Sequence, residues 1–430
     1  MTDDLSSKTV CIVDNGLFVG LALKLAESFG RVLYFEEWET AFPTFDKATI
    51  GDGFKRVERC NDIWKVKNEV DCWIFPDIGR SGLQLELEQQ GYPVWGSRNG
   101  DSIERNREKF MRLVEEAGLE VAPFIVIVGL TDLRKWLQTN EDKYIKISKF
   151  RGSLETFHWR SYREDSTELD LWALRFGPLQ DLVRFLVFDA IETDLEIGGD
   201  TFCIDGQWPD LMLHGLECKD EGYLSSVTKR TDMPESIQDV MEAFGPILGK
   251  ERYRNCWSME IRVAGDKAFF IDGTARFGIP SWKSQSEAWS NFAEIIWAGA
   301  HGELVQPIPS CKHTAEVLLV AKGEEKTWRT VDFPEELRPW LSCGNCCEVD
   351  GRVCFSPEER FGDNIGWLLA KGDSIEQVTE QMKSHVKMLP DGVSACTESL
   401  YDLLKEAHSE EEQGIEFSQE KLPEPETALT

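Results

Sequence analysis

Residues 8–15, KTVCIVDN, form a short, nearly unbroken apolar run rich in β-branched side chains, the pattern of a strand buried on both faces of a parallel sheet. An amphipathic segment from Leu17 to Phe29 follows, then a second apolar strand from Arg31 to Phe35. Strand, helix, strand predicts a doubly wound domain. A strand at Asp71–Phe75, the polar turn Asp77-Ile78-Gly79-Arg80-Ser81-Gly82, a helix and a strand ending at Val94-Trp95-Gly96-Ser97 complete it, over about 1–97. The first turn reads DNGLFVG instead of GxGxxG, which argues against a dinucleotide. The Gly79–Gly82 loop is a candidate substrate contact, and turn chemistry alone also explains its glycines.

Asp101 with Glu104 predicts a capping box opening a helix through Ala117. Ile103, Phe110, Val114 and Ala117 form its apolar stripe, and Arg107 sits within that stripe. A cation there is either paired internally or reaches a ligand phosphate. Residues 142–148, DKYIKIS, read as a strand with Lys146 on the face opposite Ile145 and Ile147. The loop behind it carries Lys149 and Arg151 beside Gly152, a combination that could cradle phosphate oxygens. An apolar strand at Leu182–Ile191 leads into the acidic connection Glu192–Glu196, then a strand EIGGDTFCIDG with its turn at Asp205-Gly206. Met233–Leu248 and Glu287–Ala300 read as helices. Residues 310–405 are expected to form a separate C-terminal domain with a helix at Ser374–Met388, which leaves 98–309 between it and the first domain. From 406 the chain turns polar and acidic, as a mobile tail does.

Residues 257–280, WSMEIRVAGDKAFFIDGTARFGIP, read as a hairpin that breaks at Gly278 and Pro280. A three-residue loop at Gly265-Asp266-Lys267 would pair Glu260 with Asp272 and set both carboxylates on one face; a two-residue loop would separate them. Two facing carboxylates beside Thr274 and Arg276 suit a hard divalent cation carrying a phosphate. The bland alternative is the polar solvent face of an ordinary hairpin.

Composition narrows the function. The chain has 430 residues, 41% of them hydrophobic, with 15 Trp and 24 Phe, enough for several cored domains and incompatible with wholesale disorder. Its formal charge of −30 argues against non-specific binding to nucleic acid or acidic membranes, which needs clustered Lys and Arg. No basic segment followed by an apolar run marks a secretory signal, and no apolar run approaches the ~20 residues that span a bilayer. Twelve scattered cysteines then fit a reducing, cytoplasmic setting. Cys343, Cys346, Cys347 and Cys354 are the one dense group, either a zinc site or plain core cysteines.

The order of parts resembles the ATP-grasp superfamily, and within it the phosphoribosylamine–glycine ligases, over roughly residues 8–400. The resemblance rests on Glu260, then Asp272-Gly-Thr274-Ala-Arg276-Phe277-Gly278 with Pro280, against the family pattern of a strand Glu followed by Glu-x-Asn-x-Arg-Phe-Gly and a Pro. It implies an α/β and α+β ATP-grasp fold, with a Rossmann-like N-terminal pre-domain, two subdomains gripping ATP and a small C-terminal α+β domain. It implies magnesium, with manganese as an alternative, on Glu260, Asp272 and Thr274, and with that a three-residue loop over Gly265–Lys267 that aligns Glu260 with Asp272. Lys146 matches the family's phosphate-binding strand lysine, and Arg107 falls where a helix Lys usually stands. Of the acidic residues Glu192, Glu196 and Asp200, either Glu196 or Asp200 aligns with the ribose-binding Glu. Arg276 and Lys219 are the implied catalytic contacts. The chain departs from the family in Asp272 for Glu, Thr274 for Asn, KFRGSLETF for the glycine-rich lid and GYLSSV for the substrate loop. The expected activity is ATP-dependent joining of a small carboxylate to an amine by a monomer or homodimer. The alternatives are a ligase joining an amino acid to a different acceptor, and a non-catalytic nucleotide-binding scaffold.

Overall fold

The computed structural model describes residues 4–36, 45, 48–149, 156–193, 195–323, 327–357, 363–418 and 420–425. Two compact units form, and neither is one continuous stretch of chain. The first takes Met1–Gly100, Ile197–Ser258 and Thr274–Thr430; the second takes Asp101–Glu196 and Met259–Gly273.

In the first unit, β1 (Thr9–Asp14), β2 (Arg31–Glu36), β3 (Val57–Arg59), β4 (Cys72–Ile74) and β5 (Val94–Trp95) form a sheet in the order β3-β2-β1-β4-β5. Its registers are parallel, with Val10 opposite Val32 and Cys72. Val10, Cys11, Ile12 and Val13 are all buried, so the unbroken apolar run reflects cover on both faces. Strand order reverses between β1 and β4, and the crevice outside the strands' carboxyl ends at such a reversal is where open α/β sheets bind ligands.

In the second unit, β6 (Phe124–Val128), β7 (Lys143–Ile147), β8 (Thr156–Trp159) and β9 (Arg184–Asp189) form an antiparallel sheet in the order β6-β9-β7-β8. Its core gathers Leu133, Ile145, Trp159, Trp172, Phe185 and Val187, with the Trp172 and Phe185 rings stacked at 5.7 Å. The expected single helix from Asp101 is two, Ser102–Arg105 and Arg107–Glu116. Asn106 breaks them apart and caps the second by accepting from the Lys109 N–H at 3.2 Å. Asp101 makes no side-chain cap, so the capping box read from the sequence is not formed.

A larger sheet is built from β10 (Glu196–Ile204), β11 (Leu211–Cys218), β12 (Gly222–Lys229), β13 (Arg254–Ala264), β14 (Lys267–Thr274) and β15 (His313–Ala321). β16 (Arg329–Val331), β18 (Cys346–Val349) and β19 (Arg352–Phe355) form a separate ribbon, while β17 (Leu341–Ser342), β20 (Asn364–Gly372) and β21 (Val393–Ala395) join the larger sheet. Within the first unit the order runs β10-β11-β12-β15-β20-β17, so the C-terminal α+β part continues one sheet with β10–β12. Helix Ile375–Val386, capped by Ser374, belongs to this part. The acidic stretch from 406 is not a free tail as far as Leu422. A helix runs from Glu398 to Glu412, and Phe417 and Leu422 are buried in the core, because a few apolar side chains punctuate the acidic run. The single helix expected over Glu287–Ala300 also differs, being Phe292–Ala300 preceded by a separate short helix, Trp282–Ala288.

Cys343, Cys346, Cys347 and Cys354 are buried thiols. Cys347 and Cys354 are cross-strand neighbours of β18 and β19. Among the described residues no group of three or more His, Cys, Asp or Glu is placed to hold a metal ion. Burial pushes the Cys343 thiol up to about 12.

Candidate functional site

In the second unit three candidates converge. Arg107 opens its helix with its N–H on the Ser148 carbonyl at 3.0 Å, which ties the helix start to the end of β7. Its Nη2 lies 2.9 Å from Asp272 Oδ2. Lys146 reaches the same oxygen from β7 at 3.6 Å and donates to the Ile271 carbonyl at 3.4 Å. The Arg107 and Lys146 side chains are 4% and 11% exposed, against 24% for Asp272. Two cations thus flank one partly exposed carboxylate, whose other oxygen accepts from the Gly273 N–H at 2.9 Å.

The hairpin differs from expectation. β13 ends at Ala264 and β14 begins at Lys267, so the connection is Gly265-Asp266, two residues. Gly265 has φ +64°, the glycine-first pattern of two-residue hairpin turns. An unbroken ladder from that turn sets Met259 opposite Asp272, so Glu260 and Asp272 share a face only where the ladder shifts by one residue. Thr274 closes β14 two positions after Asp272, on the same side of the strand. Magnesium binds through one or two carboxylates plus substrate phosphates and keeps its waters, so Asp272 and Glu260 are the second unit's carboxylates to weigh for it.

The nucleotide-side acids are placed differently from one another. Glu196 is half-buried and held by Arg262 Nε at 2.7 Å. Glu192 is exposed in the connection after β9. In the first unit, Asp200 is buried and accepts from Tyr223 (2.6 Å), Ser281 (2.8 Å) and Ser258. Burial pushes its carboxyl up, against those three hydroxyls. Asp200 is an internal hub with its acceptors engaged, whereas Glu196 is engaged by a single guanidinium. Lys149 is exposed at the end of β7, and Lys219 is exposed on the β11–β12 turn beside Asp220 at φ +61°. Arg151 lies outside the described residues.

Also in the first unit, Arg276 meets the carboxyl edge of the parallel sheet. Its Nε is 3.5 Å from Asp77 Oδ1, and Asp77 accepts from Asn15 Nδ2 at 3.1 Å. Arg80 reaches the Asp14 carbonyl at 3.4 Å. Asp14, Asn15, Asp77 and Arg80 follow β1 and β4, the two strands at the reversal. The Asp14 carboxyl is pushed up to about 6 by burial, although Tyr34 donates to it at 2.6 Å. Sequence reasoning singled out the glycine turn after β4 but missed Asp14 and Asp77. Their signal was an Asp at each of the two strand ends flanking the reversal.

No family model matches the sequence, and no characterised protein matches it in a sequence search. Solved structures do match. Phosphoribosylamine–glycine ligase from Thermotoga maritima superposes with a TM-score of 0.63 at 16% identity, covering 90% of this chain and 98% of that one. Biotin carboxylase from Campylobacter jejuni gives 0.63 at 13%, over 90% and 93%. L-amino acid ligase from Bacillus licheniformis gives 0.60 at 14%, over 91% and 98%.

The chain has the ATP-grasp fold. β13 carries Glu260, β14 carries Asp272 and β7 carries Lys146. At 13–16% identity to these three structures, the shared property is this fold, and chemistry rests on the side chains above.

Proposed function

We propose that the protein is an ADP-forming carboxylate–amine ligase. The convergence of Arg107 and Lys146 on Asp272 carries this reading, within a fold shared with ligases of that kind. A substrate carboxylate attacks the γ-phosphorus of ATP and ADP leaves, giving an acyl phosphate. The amine then attacks the acyl carbon, phosphate departs with the C–O bond electrons, and the nitrogen loses a proton.

The barrier is mostly one of charge and position, so fixed cations serve it better than a nucleophilic side chain. Lys146 and Arg107 exchange Asp272 for phosphate oxygens, with Lys149 and Arg151 as further contacts from the loop after β7. Asp272, Glu260 and Thr274 would hold magnesium or manganese, which supplies charge neutralisation on the phosphates. Glu196 holds the ribose, with Glu192 in the same acidic connection and Asp200 supporting from the interior. The planar fork of Arg276 suits the substrate carboxylate, and Lys219 is the second candidate contact to substrate. The ligands are small molecules. The charge of −30 disfavours nucleic acid, and no described helix is long and apolar enough to cross a membrane. A cytoplasmic monomer or homodimer accords with these features.

The test is ADP release across a panel of carboxylates paired with amines, glycine with phosphoribosylamine included. A productive pair whose turnover falls roughly 100-fold or more in Asp272→Asn supports the reading. Unchanged turnover in that variant sinks the residue assignment. Magnesium-dependent ATP binding without ADP release for any pair would favour a scaffold. A second reading, an amino acid joined to a different amine, draws on the likeness to the L-amino acid ligase and on the substrate loop GYLSSV; the same panel separates the two.

A further inference from the structure

In the first unit, the carboxylate of Glu287 is ringed by three lysines. Lys24 Nζ lies 2.8 Å and Lys283 Nζ 3.0 Å from its Oε1, and Lys371 Nζ lies 3.1 Å from its Oε2. All four belong to the first unit. Burial alone would raise the Glu287 carboxyl, but Lys283 and Lys24 outweigh it and hold it down at about 2. The group is therefore a permanent anion.

A pocket of about 120 Å³ opens onto this ring, with Lys24, Glu287 and Lys371 in its wall. The volume exceeds the ~30 Å³ share of one water molecule several times over. The second carboxylate at the ring is Glu27, 2.9 Å from Lys24 and 54% exposed. Three ammonium groups thus face two carboxylates, a local excess of one positive charge in a chain of net charge −30. Lys24 gives two of its three N–H donors to Glu27 and Glu287, which leaves one for a ligand. Ser28 also lines the pocket, as do Phe292 and Ala293 at the start of a nine-residue helix. Asn291, the residue before that helix, spends its side chain on Gln306 and Ile308 and makes no cap.

We infer that this pocket is a binding site for a small phosphate-type anion, held by the remaining Lys24 donor and by Lys371. The three Lys371 donors rest on Glu287 Oε2, the Glu287 carbonyl and Ser310, and Lys371 exchanges the longest of these, to Ser310 at 3.4 Å, for the anion. The incoming anion takes the place of Glu27, whose exposed carboxylate leaves at little cost. Lys283, 5% exposed beneath the ring, supplies charge without direct contact. The ligand is equally an inorganic phosphate or the phosphate of a small metabolite, since the pocket reads the anion and has room for little else.

The experiment is calorimetric titration of the whole chain with inorganic phosphate at low ionic strength, together with thermal unfolding with and without phosphate. Lys24→Gln should weaken phosphate binding by about tenfold or more, a loss typical of one charge-assisted contact. Glu287→Gln removes the resident anion, so phosphate should bind it more tightly and raise its melting temperature more than that of the unaltered chain. Lys146→Gln separates this site from the proposed nucleotide site and should keep the Lys24-dependent binding. Ribose 5-phosphate binding tighter than phosphate would assign the pocket to a metabolite, and equal binding would assign it to free phosphate. Absence of saturable phosphate binding, or Lys24→Gln leaving the Kd within about twofold, overturns the site. So does a Glu287→Gln protein that phosphate fails to stabilise.

Discussion

Arg107 Nη2 and Asp272 Oδ2 meet at 2.9 Å, a nearly buried guanidinium against a carboxylate left a quarter open. The pair costs little while intact and much when one partner is lost, since a buried charge without its counter-charge is penalised. Asp272→Asn is therefore expected to lower unfolding stability by about 1–3 kcal/mol, less than a fully buried pair because water reaches the carboxylate. Urea unfolding measures this. A variant as stable as the parent would show that the pair contributes nothing to folding.

Glu316 gives a pH signature with a definite sign. The residue is fully buried on β15 and accepts from the Ser284 N–H at 2.7 Å. Burial pushes its carboxyl from 4.5 up to about 7, with the Ser284 N–H opposing. The folded state then binds more protons than the unfolded state between these values, so stability falls as pH rises from 4.5 to 7 and levels off above. Glu316→Gln should abolish this decline and be more stable at pH 8 by up to ~3 kcal/mol. Chemical unfolding at pH 5 and pH 8 is the measurement, and parallel curves for the two proteins would refute it.

Tyr223 donates to Asp200 Oδ2 at 2.6 Å inside the first unit. Tyr223→Phe removes one of three hydroxyl donors from a buried carboxylate. A loss of about 1–3 kcal/mol is expected, with the unfolding slope in urea unchanged. A neutral substitution would mean that water replaces the hydroxyl.

Gly206 sits at φ +86°. A Cβ there would lie 2.5 Å from the Gly245 carbonyl oxygen and 3.0 Å from Gly249 Cα. Gly206→Ala adds left-handed strain to a clash with backbone, roughly 2–4 kcal/mol together. A melting temperature unchanged by this substitution would contradict the described turn.

Much of this was readable along the chain, and the exceptions have physical causes. The run KTVCIVDN announced β1 because a strand covered on both faces has no polar side to show. Lys146 was placed by strand alternation, and Arg107 by its position in an apolar helical stripe. The helix boundary there went wrong because Asp101 and Glu104 have capping-box spacing, yet the chain breaks at Asn106, whose side chain caps the next turn. The hairpin connection was set at three residues on the strength of two carboxylates, whereas a glycine-first two-residue turn was already written in Gly265-Asp266. Asp200 lies buried under hydroxyls from Tyr223, Ser258 and Ser281, residues far off in sequence. No local pattern encodes that meeting.

Residues 343–348 run along the N-terminal sheet as a stitch. Their backbone bonds join the Cys343 carbonyl to Gly20, Asn345 to Gly16, the Cys346 carbonyl to Gly51 and Glu348 to Asp52. On a ribosome, the first hundred residues emerge roughly 10–50 s before this stitch exists, at synthesis rates of about 5–20 residues per second. For that interval the loops after β1 and before β3 lack their backbone partners, and a nascent chain halted near residue 100 would display them to chaperones. Backbone pairing of these connections around the N-terminal sheet is thus a late event of translation, set by the arrival of a segment encoded near the far end of the message.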